Sequence, residues 1–185
     1  MFLSDKTIKE YLILGKIKIS PEMEDFNIRP TGIRLHLDKD ILIPQPNQVI
    51  DFENPNEVKY DRADISIKQY CLKKGDFILC STIEKIQTTK DLVCILDGRS
   101  TTARLGLTIH CTAFTFDNNY DEQRTIVLEI SNKGPFDILI KNGIPVGLLL
   151  FAKLTDEIQQ ESQKQYANQT TVMPPNLLFK KNEKE

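Results

Sequence analysis

A mainly β fold is predicted for this chain, and three observations carry it. Apolar and polar residues alternate through Ile33, Leu35 and Leu37, the period of a half-buried strand. From Ile65 onward, short apolar stretches recur between turn-forming residues: Asp76–Cys80, Leu92–Leu96, Leu107–Phe116, Thr125–Ser131, Phe136–Ile140 and Ile144–Lys153. Only one segment, near the N-terminus, has helical spacing. Many short strands with little helix read as a β-barrel or jelly roll.

The helix comes first. Ser4 can cap it, Asp5 opens it, and Ile8, Tyr11, Leu12 and Leu14 recur at helical spacing before Gly15 stops it. Ile17, Ile19 and Pro21 make an extended exit. Residues 44–62, rich in Pro, Asn and Asp, read as a long surface loop. Asn142-Gly143 is the strongest hairpin signal in the chain. From Thr155 the sequence turns polar and Gln-rich, with Met173-Pro174-Pro175 near its end. The expected organisation is one barrel domain over residues 1–154 and a mobile C-terminal tail over 155–185.

Composition narrows the function classes. Of 185 residues, 40% are hydrophobic and 27% charged, with net charge −2, as in a globular domain. That balance argues against a nucleic-acid partner, which favours a basic surplus. No apolar run approaches the ~20 residues a membrane helix needs, so no membrane partner is expected. Charges at Asp5, Lys6, Lys9 and Glu10 interrupt any signal-peptide pattern, and a cytoplasmic location is expected. The four cysteines form no Cys-x-x-Cys pair and read as reduced residues packed in strands. The His-x-Glu and Pro-Cys-x-x-Cys elements of zinc deaminases are absent, and no zinc is expected.

The stretch Leu96-Asp-Gly-Arg-Ser-Thr-Thr-Ala-Arg-Leu-Gly-Leu107 carries the most chemistry. Arg99, Ser100, Thr101, Thr102 and Arg104 crowd two guanidiniums and three hydroxyls into a loop about one turn of backbone long, a composition suited to phosphate or carboxylate oxygens. Downstream come His110, Thr112 and Ala113, then Asp117, then Val127-Leu128-Glu129. Each residue alone has an ordinary reading: arginines in surface ion pairs, Asp117 in a turn, Glu129 as a cross-strand partner. Their order and spacing together point instead to chemistry on a nucleotide.

These residues resemble the dCTP deaminase family of the dUTPase-like superfamily, whose Gly-Arg-Ser-Ser-x-Ala/Gly-Arg appears here at Gly98 to Arg104. The resemblance continues through His110, Thr112, Ala113 and Asp117 to Leu128-Glu129. It includes Met1-Phe2-Leu3-Ser4-Asp5-Lys6-x-Ile8 and the tail Tyr166-Ala167-Asn168-Gln169 with Val172-Met173-Pro174. It implies a dUTPase-like distorted β-barrel that assembles as a homotrimer with sites between subunits. It implies hydrolysis of dCTP to dUTP, with magnesium held mainly by the triphosphate and no protein metal ligand. Glu129 is the implied general base, with Ser100 and Arg104 of a neighbouring subunit positioning water and the glutamate. Arg99, Thr101 and Thr102, with Ala103 beside them, are the implied phosphate contacts, and Asp117 the contact of the 3′-hydroxyl. The backbone of a hairpin from His110 to Phe116, with Thr112 and Ala113 in it, is implied to read the pyrimidine edge, and Val127 and Leu128 are further implied substrate contacts. Lys164, Tyr166 and Gln169 in the tail close over the triphosphate.

The chain also departs from the family. The glycines after the sugar-binding aspartate are missing from Asn118 to Arg124. The family's Ile-Gly-Gln-Leu is Val146-Gly147-Leu148-Leu149 here. Its tail lysine is displaced to Lys164, and its early Asp-Val/Leu-x-Leu-Gly is replaced by Gly32-Ile33-Arg34-Leu35-His36. No glycine follows Gly147, which argues against a dedicated dUTPase with its glycine-rich arm. Two alternatives stay open: a bifunctional deaminase and dUTP diphosphatase giving dUMP, and a nucleotide-binding trimer without catalysis.

Overall fold

The structure is a computed structural model that describes residues 1–53, 57–116, 120–160, 166 and 169–177. Helix α1 (Asp5–Ile13) buries Ile8 completely and runs into strand β1 (Ile17–Ser20). Strands β2 (Ile28–Arg29), β3 (Gly32–Pro44), β4 (Tyr60–Asp64), β5 (Tyr70–Leu72), β6 (Phe77–Thr88) and β7 (Leu92–Gly98) follow. After the short helix α2 (Ser100–Arg104) come β8 (Leu107–Thr108), β9 (Thr115–Phe116), β10 (Arg124–Asn132), β11 (Ile138–Ile140) and β12 (Pro145–Lys153). The chain is mainly β with one short N-terminal helix, as the alternation predicted.

One curled antiparallel sheet holds most of the strands, in the order β8-β10-β6-β3-β12-β7-β9. Strand β1 adds to β6, and β2 and β4 add to β3, while β5 and β11 form a separate pair. Ile33, Leu35 and Leu37 of β3, Ile78 and Ile86 of β6, and Leu149 and Phe151 of β12 point inward and are fully buried. The two edge strands, β8 and β9, come from one stretch of chain. Residues 109–114 therefore cross the opening between the sheet's two ends, and this crossing locates the site.

A polar knot inside β6 shapes the strand beside the site. Pairing with β10 slips between Thr125 and Val127, and pairing with β3 slips between Leu37 and Ile41. The backbone groups freed by these bulges are satisfied locally. The Thr82 hydroxyl donates to Glu84 O (2.7 Å) and accepts from Ile126 N–H (3.1 Å), and the Thr125 hydroxyl donates to Thr82 O (2.5 Å). The buried Glu84 carboxylate accepts from the His36 amide (2.9 Å) and lies 2.6 Å from His36 Nδ1. Every buried charge and hydroxyl named here has a partner, as a stable sheet interior requires.

Three sequence expectations are corrected. Leu107–Phe116 is not one strand, and His110–Phe116 is not a hairpin: two two-residue strands, β8 and β9, lie on opposite edges of the sheet and do not pair with each other. Asn142-Gly143 closes no hairpin, because β11 pairs with β5 while β12 lies between β3 and β7. Gly143 does take positive φ (81°), but its amide donates to Leu37 O, so the turn serves a crossover between sheets. The Ser100–Arg104 segment is a helical turn rather than a loop. Ala103 N–H and the Thr102 hydroxyl both donate to Arg99 O, at 2.9 and 3.0 Å, and the turn ends at Gly106.

Gly106 adopts φ +84°, and a Cβ there would collide with the Gly134 backbone. Its carbonyl also accepts from Lys133 N–H at 2.8 Å, which ties the end of α2 to the end of β10. Gly106→Ala should destabilise the fold by more than about 1 kcal/mol, because the conformation and the close approach both exclude a side chain. Urea unfolding of the variant against the wild type measures the difference.

Candidate active site

Strand β10 builds the centre of the site by simple alternation. Ile126, Leu128 and Ile130 point into the core, so Thr125, Val127 and Glu129 share the opposite face. That face forms one wall of a cleft of about 520 Å³. Ala113, Thr115 and Phe116 contribute from the crossing segment and β9, and Tyr60, Phe77 and Leu79 supply an apolar side. Tyr166, Gln169, Met173, Pro174 and Pro175 of the tail close it.

The free edge of β10 opens into this cleft. Strand β8 covers only Ser131 and Asn132. At the other end, Thr125 N–H donates to Gln169 O (3.2 Å) and the Gln169 side-chain amide donates to Thr125 O (2.9 Å). In an antiparallel strand the main-chain N–H and C=O of alternate residues point to the same edge. Val127 therefore presents its donor and acceptor to the cleft between these two anchors. A strand edge of this kind can read the donor–acceptor pattern of a heterocycle without any side chain.

Glu129 sits one step along the same edge. Its Oε2 accepts the Cys111 amide at 3.1 Å. Burial pushes its carboxyl above the usual carboxylate range, while the Cys111 hydrogen bond and the neighbouring His110 restrain the rise. Such a group can exchange a proton nearer neutrality than an exposed glutamate. His110 is half-buried, its ring tilted against Phe114 at 6.1 Å between centroids. Cys80 and Cys94, by contrast, are packed in strands with thiols pushed up to about 12 by burial, so neither is an available nucleophile.

The arginine–serine segment lies elsewhere on the protomer. Arg99, Ser100 and Thr101 line a second cleft, of about 370 Å³, with Arg29, Arg34 and Gly147. No residue from Arg99 to Arg104 lines the Glu129 cleft. Ser100, Ala103 and Arg104 are exposed, and Thr102 turns its hydroxyl onto its own helix. Of the expected site residues, Ala113, Val127, Glu129, Tyr166 and Gln169 come together in one cleft. Leu128 does not reach it, because its side chain belongs to the core. Thr112 is exposed beside it, and Asp117 and Lys164 lie outside the described residues.

Sequence reasoning did not single out Tyr60, Phe77, Leu79, Arg124 or Thr125. The strand residues among them look like ordinary core or surface alternation until the cleft gives them a common wall. The tail anchor also escaped notice. Val172 is 1% exposed and packs in a small separate core with Leu42 and Leu79, with Tyr60, Phe77 and Val127 against it.

The raised carboxyl has a consequence for stability. A carboxyl whose folded pKa exceeds its unfolded value of 4.5 binds its proton more tightly in the folded state. Stability from this source is present at low pH and lost as pH rises through the folded pKa. Glu129→Gln should therefore melt at or above the wild-type temperature at pH 7–8, with the gap closing as pH falls toward 4.5. Paired melting curves across that range test the sign.

Comparison with known proteins gives a consistent result. A family model described as dCTP deaminase-like matches residues 2–154. A dUMP-forming dCTP deaminase of Sulfurihydrogenibium sp. is 31% identical over 174 residues, covering 91% of this chain and 93% of the relative. A dCTP deaminase of Thermomicrobium roseum is 30% identical over 187 residues, covering 96% and 94%. Among solved structures, the 2′-deoxycytidine 5′-triphosphate deaminase of Agrobacterium tumefaciens shares the fold, with TM-score 0.63 at 18% identity. That match covers 81% of this chain and 46% of the other.

Proposed function

The chain belongs to the dCTP deaminase-like family, and on that footing we propose that it hydrolyses dCTP to dUTP and ammonia in the cytoplasm. The observation that carries the reading is the half-buried Glu129, with its raised proton affinity, beside the Val127 edge, which has no backbone partner on the cleft side among the described residues. The pyrimidine lies against that edge. Glu129 takes a proton from water, and the hydroxide adds to C4 of the ring. The same carboxyl then returns the proton to the 4-amino group, and the C4–N bond breaks to release ammonia. A base of this kind contributes ~10²–10⁴ in rate. Thr115, Phe116 and the apolar tail residues exclude bulk water around it.

The site is shared between copies in this reading. The Arg99–Arg104 segment lies outside the Glu129 cleft of its own chain, which supports a homotrimer in which each Glu129 meets Ser100 and Arg104 of a neighbour. The triphosphate then runs toward the neighbour's Arg99 and Thr101. Magnesium enters with the nucleotide. The second cleft offers guanidiniums and hydroxyls and no carboxylate, a donor set that suits phosphate oxygens and leaves the ion on the phosphates. Tyr166 and Gln169 of the tail, with Lys164, cover the bound nucleotide.

A second reading has a specific support. The Sulfurihydrogenibium relative is dUMP-forming, so the product here can be dUMP and pyrophosphate after deamination. One assay separates the readings: dCTP and magnesium are incubated with the protein, and dUTP, dUMP, ammonia and pyrophosphate are resolved. Ammonia with dUTP supports the first reading, ammonia with dUMP the second, and no ammonia rejects both. Glu129→Gln should lower ammonia release by at least ~10²-fold. Near-normal turnover would remove Glu129 from the role.

Sharing has its own test. Ser100→Ala and Glu129→Gln subunits, each inactive alone, should regain activity when mixed, because some mixed sites receive both intact halves. Mixed oligomers verified by mass and still inactive would show that one chain carries the whole site.

A further inference from the structure

We propose that Arg29 and Arg34, together with Arg99, form a polyphosphate-binding cradle that selects nucleoside triphosphates over monophosphates. The inference rests on the nucleotide reading above and adds two residues that no motif supplied.

The cleft of about 370 Å³ is lined by three arginines, Ser100 and Thr101, and by no carboxylate. The nearest carboxylate in sequence, Asp97, turns its Oδ1 back onto the Gly98 amide at 2.8 Å. Neither Arg29 nor Arg34 has a hydrogen-bond or ion-pair partner among the described residues, and Arg34 is half-buried. Guanidiniums grouped in a concave site repel one another, and without a carboxylate nearby an anion is what balances them. The fork geometry of arginine matches phosphate oxygens, and hydroxyls complete such sites.

The cradle is held by backbone rather than by chance rotamers. Arg99 gives one donor, Nη1, to Pro145 O at 2.7 Å, which orients the guanidinium and leaves its other donors for a ligand. Arg34 is opposite Leu148 of β12, and Leu148 is opposite Asp97 of β7, so three strands fix its position. Arg29 pairs with Gly32 at the tight β2–β3 turn. That turn is anchored by the Asp5 amide donating to Pro30 O at 3.0 Å. Arg34 also stands in the stretch where the sequence departs from its family's pattern, so its place in the cleft is this chain's own, beside the family motif residues Arg99, Ser100 and Thr101.

Two measurements on the full chain test the proposal. The first compares kcat/KM for dCTP, dCDP and dCMP in the wild type and in Arg29→Gln/Arg34→Gln. The expected result is a loss of about 10-fold or more per arginine for dCTP, with a far smaller loss for dCMP, which lacks β- and γ-phosphates. Arg29→Lys/Arg34→Lys should recover part of the preference, because charge is kept and the fork is lost. An unchanged dCTP-to-dCMP ratio in a folded double Gln variant would overturn the proposal. The second measurement is calorimetric binding of inorganic tripolyphosphate, which needs no turnover and survives failure of the deaminase reading. Weaker binding in the double Gln variant supports the cradle, and equal binding rejects it. If sedimentation shows that the variant loses self-association while its tripolyphosphate affinity is unchanged, these arginines serve contacts between copies and the cradle is wrong.

Discussion

The edge of β10 between Thr125 and Ser131 is the constraint from which the rest of the site follows. A curled sheet must do something with its last edges, since unpaired N–H and C=O groups away from water are costly. Here residues 107–116 stitch both ends: β8 covers the end of β10, β9 covers β7, and the crossing between them leaves a gap. Gln169 covers the other end of the gap with two hydrogen bonds. What remains is a short length of β-strand edge without hydrogen-bond partners among the described residues, floored by apolar side chains. Full closure would satisfy the backbone and abolish the cleft. The gap leaves this stretch of strand edge facing the cleft.

The placement of Glu129 obeys the same geometry. Strand alternation puts it on the cleft face, and the crossing segment passes close enough for the Cys111 amide to reach its carboxylate. One hydrogen bond and a half-buried position leave the carboxyl neither fully desolvated nor fully stabilised as an anion. A deeper site would keep it protonated, and a more generous set of donors would hold it ionised and weakly basic. The intermediate setting suits a group that must accept and return a proton. The arginines lie in a separate cleft and do not draw the carboxyl into a permanent ion pair within one chain.

Much of this was legible in the sequence. Alternation in β3 and the apolar runs of β6, β7, β10 and β12 announce themselves: β7 buries one face at period 2, and β6 is buried on both faces from Ile78 to Thr82. Order along the chain singles out the motif residues around Glu129 and Arg99, and the structure places Glu129 and the Arg99 segment in two separate clefts. The division of 107–116 was not, since Leu107, Ile109 and Phe116 look like one apolar strand. Only the sheet's two free edges, known from the assembled fold, show that the segment serves both. The Asn142-Gly143 turn was read correctly as a turn and wrongly as a hairpin, because local turn chemistry does not reveal which strand comes to pair. The apolar wall of Tyr60, Phe77 and Leu79 was hidden for a related reason: a residue lining a cleft and a residue packing a core share one hydrophobic pattern.

Val172 links the tail to this arrangement in a way composition could not suggest. A polar, Gln-rich segment offers little apolar surface, so one buried valine carries much of its attachment. It packs with Leu42 and Leu79 and against Tyr60, Phe77 and Val127. Tyr60, Phe77, Leu79 and Val127 also line the cleft. The same side chains thus serve as the socket for the tail and as the wall of the site. Docking of the tail and shaping of the cleft are therefore one packing event. A substitution that fills or empties the socket changes where Gln169 and Tyr166 sit, and through them how the β10 edge is presented to a ligand.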